Sequence, residues 1–276
     1  MTTSIIGYPR IGAQRELKFA TEKFFKKELS EADLQAVAAT QRQANWQKQA
    51  AAGIDFIASN DFSFYDTTLD TAFALNIVPK RYQELAVSPL ERYFAAARGH
   101  QSEAGDVKAL AMKKWFNTNY HYMVPEFDDG TEIKLDLTKL LSEYREALAL
   151  GITTKPVLIG PFTLLKLIRF TGQTQLSDVQ EDFVKAYSEI LSVLATEEVA
   201  WLQLDEPGLV FDLTESDIHL FKAIYTALLP QKQTVKVLLP TYFGDVRDVS
   251  FDLIQLDFDG IGLDFFEGRK LSELIQ

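Results

Sequence analysis

Ala200-Trp201-Leu202-Gln203-Leu204-Asp205-Glu206-Pro207 is a short apolar run that ends in two carboxylates and a proline. Its length and apolar content predict a buried β-strand, and Pro207 marks the beginning of a loop. Similar apolar runs of strand length recur along the chain, and polar residues follow most of them. We predict strands over Thr3–Gly7, Ile54–Ser59, Leu110–Phe116, Val157–Gly160, Trp201–Leu204, Val235–Leu239 and Gly260–Asp264.

Amphipathic helical patterns lie between these runs, for example Leu137–Leu148 and Phe183–Leu194. Alternating strands and helices predict a parallel sheet, because parallel neighbours need a crossover connection. A closed barrel and an open doubly wound sheet both satisfy this order. The absence of G-x-G-x-x-G after the first strand and the polar residues after strand ends favour the barrel. We therefore predict an α/β fold, a (β/α)8 TIM-type barrel that lacks its last βα unit.

Residues 65–109 depart from this alternation, because Pro79, Pro89, Gly99 and Gly105 divide them into short segments. We predict an inserted helical layer there, within one domain that covers residues 1–276. Two helix starts are predicted from capping-box patterns, at Ser30 and at Ser177.

Composition excludes several classes of function. The net charge of −11 and the pI near 4.8 argue against a nucleic-acid surface, which needs clustered positive charge. No basic stretch followed by an apolar run begins the chain and no apolar run is long enough to span a membrane, so we expect a cytoplasmic protein. The chain has no Cys, and His100, His121 and His219 are scattered, so we predict no zinc site within it. We expect His219 to be a structural residue of an apolar helix face.

Two segments combine residue types that rarely occur together. The first begins Ser4-Ile5-Ile6-Gly7-Tyr8-Pro9-Arg10-Ile11-Gly12 and continues into a predicted helix with Arg15-Glu16-Leu17-Lys18. The second is Lys114-Trp115-Phe116-Asn117-Thr118-Asn119-Tyr120-His121-Tyr122-Met123-Val124-Pro125-Glu126. With Leu204-Asp205-Glu206-Pro207 and Gly262-Leu263-Asp264-Phe265, these segments resemble the amino-terminal domain of cobalamin-independent methionine synthase.

That resemblance implies a reaction and its partners. The family moves a methyl group from 5-methyltetrahydropteroyltriglutamate to homocysteine, and its proteins contain two barrels. The second barrel holds a catalytic zinc ion, so the resemblance implies that this chain is a fragment without the zinc ligands. It also implies that the fragment alone is inactive and that no catalytic residue lies in it.

The resemblance further implies which residues contact the folate. Arg15, Glu16, Leu17 and Lys18 match the segment that contacts the folate's glutamate tail, and Lys114 matches a further contact. Without the resemblance, Arg15 and Lys18 are more simply explained as solvated surface charges near a helix N-terminus, where cations are unfavourable.

Other interpretations remain open from the sequence alone. Asp205 and Glu206 could perform acid–base catalysis at a barrel's strand ends, as in a hydrolase, but we favour a structural role in bracing loops. Trp115, Phe116, Tyr120 and Tyr122 could stack on a flat ring, although packing at a domain interface explains most of them. A stand-alone binding or regulatory barrel is a further alternative. Asn60 and Asp61, after the second predicted strand, have no partner that the sequence identifies.

Overall fold

A computed structural model describes residues 2–103 and 105–268. In chain order, the α-helices of these residues are α1 Glu16–Phe25, α2 Glu31–Ala51, α3 Thr67–Ala74, α4 Lys80–Gln83, α5 Pro89–Arg98, α6 Thr138–Ala149, α7 Pro161–Leu167, α8 Leu176–Thr196, α9 Glu215–Leu228 and α10 Arg247–Gln255. The strands are β1 Ile57–Ser59, β2 His100–Ser102, β3 Gly105–Val107, β4 Met112–Lys114, β5 His121–Met123, β6 Glu126–Phe127, β7 Thr154–Ile159, β8 Arg169–Phe170, β9 Trp201–Asp205, β10 Lys236–Pro240 and β11 Gly260–Gly262.

The chain divides into two compact units. The first contains Met1–Phe64 and Thr138–Pro156. In this unit β1 runs parallel to the first three residues of β7, and helices α2 and α6 pack against β1. An apolar cluster joins these elements: Trp46, Ile57 and Ala147, with Ile54 and Ile152 against them.

The second unit contains Tyr65–Leu137 and Val157–Gln276. The last three residues of β7 run parallel to β9, β9 runs parallel to β10, and β10 runs parallel to β11. A helix follows each of β7, β9 and β10, and α7, α8 and α9 pack against one another. All six residues of β7 are buried, as expected for a parallel strand that is covered on both faces. The predicted α/β class with parallel strands is therefore confirmed, and so are the predicted strands at β7, β9, β10 and β11.

The third predicted strand, Leu110–Phe116, was wrong in length and in pairing direction. Residues 112–114 form β4, which pairs antiparallel with β5 instead of joining a parallel sheet. The connection between them, residues 115–120, is long enough for a hairpin but far too short for a crossover. Met112, Lys113 and Lys114 are all exposed, so this strand lacks the buried faces that its apolar neighbours suggested.

The first predicted strand, Thr3–Gly7, is reduced to one bridge between Ser4 and Phe56 in the described part of the chain. Side chains take up backbone groups of this segment: Lys155 Nζ donates to the Ile5 carbonyl, and Thr3 N–H donates to Asp55. A backbone that is held by side chains in this way does not need a ladder partner.

Local signals explain most helix ends. Ser30 begins α2 as predicted, and its hydroxyl accepts from Asp33 N–H at 3.1 Å. The predicted start at Ser177 was two residues late, because Gln175 N–H donates to Asp178 and α8 begins at Leu176. Residues 65–109 contain α3, α4 and α5 and the hairpin of β2 and β3. Among the described residues, no helix combines the length and apolar character that a membrane span requires.

Candidate functional site

Arg15 and Lys18 lie at the start of α1, in the first unit. Arg15 is the residue that precedes the helix, with a left-handed φ of 64°, and Lys18 lies in the first turn. Both side chains are exposed, and Lys18 Nζ lies 3.7 Å from a Glu22 carboxylate oxygen in a solvent-facing pair. Leu17, between them, is 2% exposed and anchors the helix in the core. Arg15 and Lys18 are therefore exposed to solvent on a helix start that Leu17 anchors in the core.

Glu16 supports the turn that leads into this helix. Its carboxylate accepts from Gln14 N–H at 3.0 Å. Gly12 has a φ of 87°, a left-handed backbone conformation that favours glycine, and it lies beneath the Glu16 carboxylate. Arg15 N–H donates to the Gly12 carbonyl at 3.1 Å and closes the turn.

The segment before this turn is also held by side chains. Asp61 accepts from Tyr8 N–H at 2.8 Å, and Asn45 Nδ2 donates to the Pro9 carbonyl at 3.2 Å. Burial raises the pKa of Asp61, and the Tyr8 N–H and the charge of Lys139 act in the opposite direction. Asp61, for which the sequence identified no partner, therefore fixes the loop that precedes Arg15.

Lys114 lies in the second unit, at the end of β4, with an exposed side chain. Its partner across the hairpin is His121, and Met112 is paired with Met123. Met123 N–H donates to Asp66 at 3.0 Å, and the same carboxylate caps α3 by accepting from Leu69 N–H at 2.8 Å. Burial, with a smaller contribution from the charge of Asp70, raises the pKa of Asp66 to about 7.

The polar residues after the parallel strands of the second unit form a connected group. Asp205 accepts from Gln203 Nε2 at 2.7 Å and from the Tyr242 hydroxyl at 3.0 Å. Asp264 accepts from Phe243 N–H at 2.9 Å. The polar residues at the ends of β9, β10 and β11 therefore bind the strand-end loops to one another.

Glu206 is fully buried, and both of its oxygens accept hydrogen bonds from the protein. The N–H groups of Phe162 and Thr163, at the start of α7, donate to it at 3.0 and 2.6 Å, and the Tyr225 hydroxyl donates at 2.5 Å. Burial raises the pKa of Glu206 to about 7 against the opposing effect of these hydrogen bonds. A Cβ on Gly160 would collide with Glu206 Oε1, so the backbone lies directly against this carboxylate. Glu206 thus supplies the N-terminal cap of α7, as expected for a loop-bracing residue.

Aromatic residues join the hairpin tip to two strand-end loops of the second unit. Phe116 stacks on Phe211 and on Phe243, with ring centroids 4.9 and 5.4 Å apart. Trp115 instead packs on Tyr122 and the Val124–Leu167 cluster, and Tyr120 is 77% exposed. Phe211 and Phe243 could not be identified from the sequence, because their stacking partner Phe116 comes from a distant segment.

The described residues contain no cluster of side chains that could hold a metal ion. Across 2–103 and 105–268, no three His, Cys, Asp or Glu side chains are grouped so that they could hold a metal ion. His219 lies on α9 with an exposed side chain, so the prediction that it packs in an apolar face was wrong. The side chains of this part of the chain do not fit a zinc ion.

Parallel strands whose polar ends are linked by side-chain hydrogen bonds define an α/β protein of the class that builds its sites from strand-end loops. The chain belongs to the cobalamin-independent synthase family: the family model for the N-terminal domain of cobalamin-independent synthase matches residues 2–276. The resemblance stated from the sequence is thereby confirmed.

Curated relatives agree with this assignment, and a solved structure shares the fold. A protein of Lactococcus lactis subsp. cremoris (strain SK11), named 5-methyltetrahydropteroyltriglutamate–homocysteine methyltransferase, is 52% identical over 276 residues, which are 100% of this chain and 36% of the relative. A Campylobacter jejuni subsp. doylei protein of the same name is also 52% identical, and 37% of it is covered. The fold is similar to that of a B12-independent methionine synthase from Shewanella sp. W3-18-1, with a TM-score of 0.61, 16% identity and coverage of 90% of this chain and 70% of that one. The chain spans little more than a third of the length of the curated relatives.

Proposed function

We propose that this chain is the amino-terminal part of a cytoplasmic methyltransferase that moves a methyl group from 5-methyltetrahydropteroyltriglutamate to homocysteine and so makes methionine. The observation that carries this proposal is 52% identity, along the whole chain, with proteins of that name. The zinc ion and the homocysteine site would belong to the remainder of the enzyme, as the family resemblance implies. The family domain would be a (β/α)8 barrel, and this chain would contain that barrel without its last βα unit.

Within that enzyme, the chain would bind the folate's glutamate tail through Arg15, Lys18 and Lys114. All three cations are exposed at segment ends whose backbones are held by hydrogen bonds. Arginine can bind a carboxylate in bidentate fashion, and each lysine supplies a point charge. Glu16 and Leu17 would contribute by fixing the turn and the helix that carry Arg15 and Lys18, since Glu16 binds Gln14 and Leu17 is buried.

The hydrolase alternative finds no support in the contacts of Glu206. A general acid or base must reach a substrate, whereas both Glu206 oxygens are buried and bound to Phe162, Thr163 and Tyr225. A stand-alone binding module would share the tail site with the methyltransferase. The two differ in whether sequence beyond residue 276 continues into a second domain with His and Cys zinc ligands.

We expect the chain alone to form no methionine from homocysteine and 5-methyltetrahydropteroyltriglutamate, even with added zinc. The physical reason is that a thiolate nucleophile at neutral pH needs the metal, and the chain has no Cys with which to hold it. The assay is methionine formation, with the Lactococcus lactis relative as the positive control. Methionine formed by the chain, or one equivalent of zinc that survives mild chelation, would contradict this.

The tail site predicts a difference between folates. In the full-length enzyme, Arg15→Ala or Lys114→Ala should weaken binding of the triglutamate folate by about fivefold, on the order of 1 kcal/mol for an exposed charge pair. Binding of the monoglutamate folate, which lacks most of the tail carboxylates, should change much less. Raising the salt concentration should reduce the difference, because exposed charges are screened. Titration calorimetry with both folates, at low and at high salt, measures the two affinities.

The chain offers matched controls for both variants. Lys26 is an exposed cation at the other end of α1, and Lys113 is exposed in β4 next to Lys114, where successive side chains point to opposite faces. Lys26→Ala and Lys113→Ala should leave the preference for the triglutamate unchanged. If Arg15→Ala and Lys114→Ala weakened binding of the triglutamate and monoglutamate folates equally, the assignment of these cations to the glutamate tail would be wrong.

A further inference from the structure

Asp61 and Asp66, between β1 and α3, are not among the proposed tail-binding residues, but both contact segments that carry those residues. Asp61 follows β1 and belongs to the first unit, and Asp66 precedes α3 and belongs to the second. Each carboxylate accepts a backbone N–H from a segment that is distant in the sequence, at separations of 53 and 57 residues. Within its own unit, each of these segments carries one of the proposed tail cations.

Asp61 holds the segment that ends at Arg15. Its Oδ2 accepts from Tyr8 N–H at 2.8 Å and lies 3.4 Å from where a Cβ on Gly7 would be, so the carboxylate packs directly against this peptide. From Tyr8 onward the backbone is tied again at Pro9, whose carbonyl accepts from Asn45, and at Gly12, whose carbonyl accepts from Arg15 N–H. The loop is therefore fixed at intervals up to the cation.

Asp66 holds the hairpin that carries Lys114. Its Oδ2 accepts from Met123 N–H in β5, and Met123 is paired with Met112, two residues before Lys114 in β4. Its Oδ1 caps α3 through Leu69 N–H, which fixes the carboxylate itself. β4 is exposed, whereas β5 buries Tyr122 and Met123, so this hydrogen bond adds a polar contact with α3 to the apolar packing of β5.

We propose that Asp61 and Asp66 are positioning residues for binding of the anionic glutamate tail, Asp61 by fixing the loop of Arg15 and Asp66 by fixing the hairpin of Lys114. This inference rests on the proposed tail-binding function. Exposed charge pairs are individually weak, so their contribution depends on how little backbone and side-chain freedom is lost on binding. A cation on a pre-fixed segment loses less than the same cation on a mobile one.

The experiment uses single and double variants of the full-length enzyme at pH 8, above the pKa of about 7 of Asp66. Asp61→Ala removes the acceptor for Tyr8 N–H, whereas Asp61→Asn keeps an oxygen that can accept it. Asp66→Ser keeps a good helix cap for α3, but its side chain is too short to hold Met123 as well.

Matched controls are aspartates that accept backbone N–H groups away from the cations. Asp55 accepts from Thr3 N–H at 2.7 Å in the first unit, and Asp129 accepts from Gln173 and Thr174 N–H at 2.9 Å in the second. Asp55→Ala and Asp129→Ala, which remove the acceptor as Asp61→Ala does, should leave folate binding unchanged.

We expect Asp61→Ala to weaken triglutamate binding by about threefold to fivefold with little effect on the monoglutamate, and Asp61→Asn to restore most of the loss. In an Arg15→Ala background, Asp61→Ala should weaken triglutamate binding by less than a further twofold. In a Lys114→Ala background, Asp61→Ala should still weaken triglutamate binding by the full threefold to fivefold. Asp66→Ser should show the reverse pattern. Such coupling isolates the pair, because a general loss of structure would act in every background.

Hydrogen–deuterium exchange without ligand provides an independent measurement. Amides of residues 8–15 should exchange faster in Asp61→Ala, and those of 112–123 in Asp66→Ser, while each control changes only its own contact segment. Unchanged exchange, or aspartate effects that add in full to those of the partner cation, would overturn the positioning role. If the exchange changes appear but Arg15→Ala and Lys114→Ala do not discriminate between the two folates, the tail-binding function fails instead.

Discussion

Glu206→Leu should lower the free energy of unfolding by about 3–5 kcal/mol. The substitution leaves the N–H groups of Phe162 and Thr163 and the Tyr225 hydroxyl without their acceptor in a fully buried site. Each buried donor left unsatisfied costs about 1–3 kcal/mol, and the partial loss of the buried carboxylate's own desolvation cost offsets some of the sum. Urea denaturation followed by circular dichroism measures the effect.

The same residue predicts how stability depends on pH. The pKa of Glu206 is raised from 4.5 to about 7 by burial, so the folded protein binds this proton more tightly than the unfolded chain does. The protonated Glu206 therefore adds to the free energy of unfolding, on the order of 3 kcal/mol in total. This stabilisation is fully present below pH 4.5 and is lost as the pH rises to about 7. Glu206→Gln, which has no charge to bury, should show a shallower fall in stability over this range than the wild type.

Tyr225→Phe is the matched control for Glu206. It removes one donor and leaves the N–H groups of Phe162 and Thr163 bound to the carboxylate, so the loss should be only about 1–2 kcal/mol. A Glu206→Leu protein within about 1 kcal/mol of the wild type would show that Glu206 does not hold the start of α7 as described.

Trp46→Ala should be as damaging to the first unit, with a loss of about 3–5 kcal/mol. Trp46 is 2% exposed on α2, and its ring packs in the cluster with Ile57 and Ala147. Its Nε1–H also donates to the Ala58 carbonyl of β1 at 3.0 Å, so the indole joins α2 to the strand. The measurement is denaturant unfolding, with hydrogen exchange in β1 as a local readout.

Trp46→Phe separates packing from the hydrogen bond. The smaller ring fills most of the space but cannot donate to Ala58, so the loss should be about 1–2 kcal/mol from the unsatisfied carbonyl and the reduced contact. Equal losses for the alanine and phenylalanine variants would mean that the hydrogen bond, and not the packing of the ring, dominates this site.

Local pattern was sufficient for the parallel strands of the second unit. The predicted strands Val157–Gly160, Trp201–Leu204 and Val235–Leu239 are short, mostly apolar runs between amphipathic helices, and burial on both faces of a parallel strand produces such runs. Residues 112–114 are the counterexample. Their apolar neighbours suggested a core strand, but neither partner nor direction is encoded in a three-residue strand, and the short connection to β5 forms a hairpin.

The candidate site divides in the same way. The resemblance located Arg15, Lys18 and Lys114, and the helix pattern placed the first two at the start of α1, where the structure has them. It did not indicate that Glu206 caps α7, because the helix it caps begins 45 residues earlier, at Pro161. The position of Glu206 after a strand was the only available signal, and it suited catalysis equally well.

The sequence by itself determined the family, the order of the parallel strands β7, β9, β10 and β11, and the chemical identity of the exposed cations. These properties depend on residue types and on spacing over one or two turns or strands, which are local. Only the tertiary structure decided that Asp61 binds Tyr8 and that Asp66 binds Met123, across separations of 53 and 57 residues. The physical reason is that a carboxylate finds its donor through the path of the chain in space, and one-dimensional periodicity carries no information about that path.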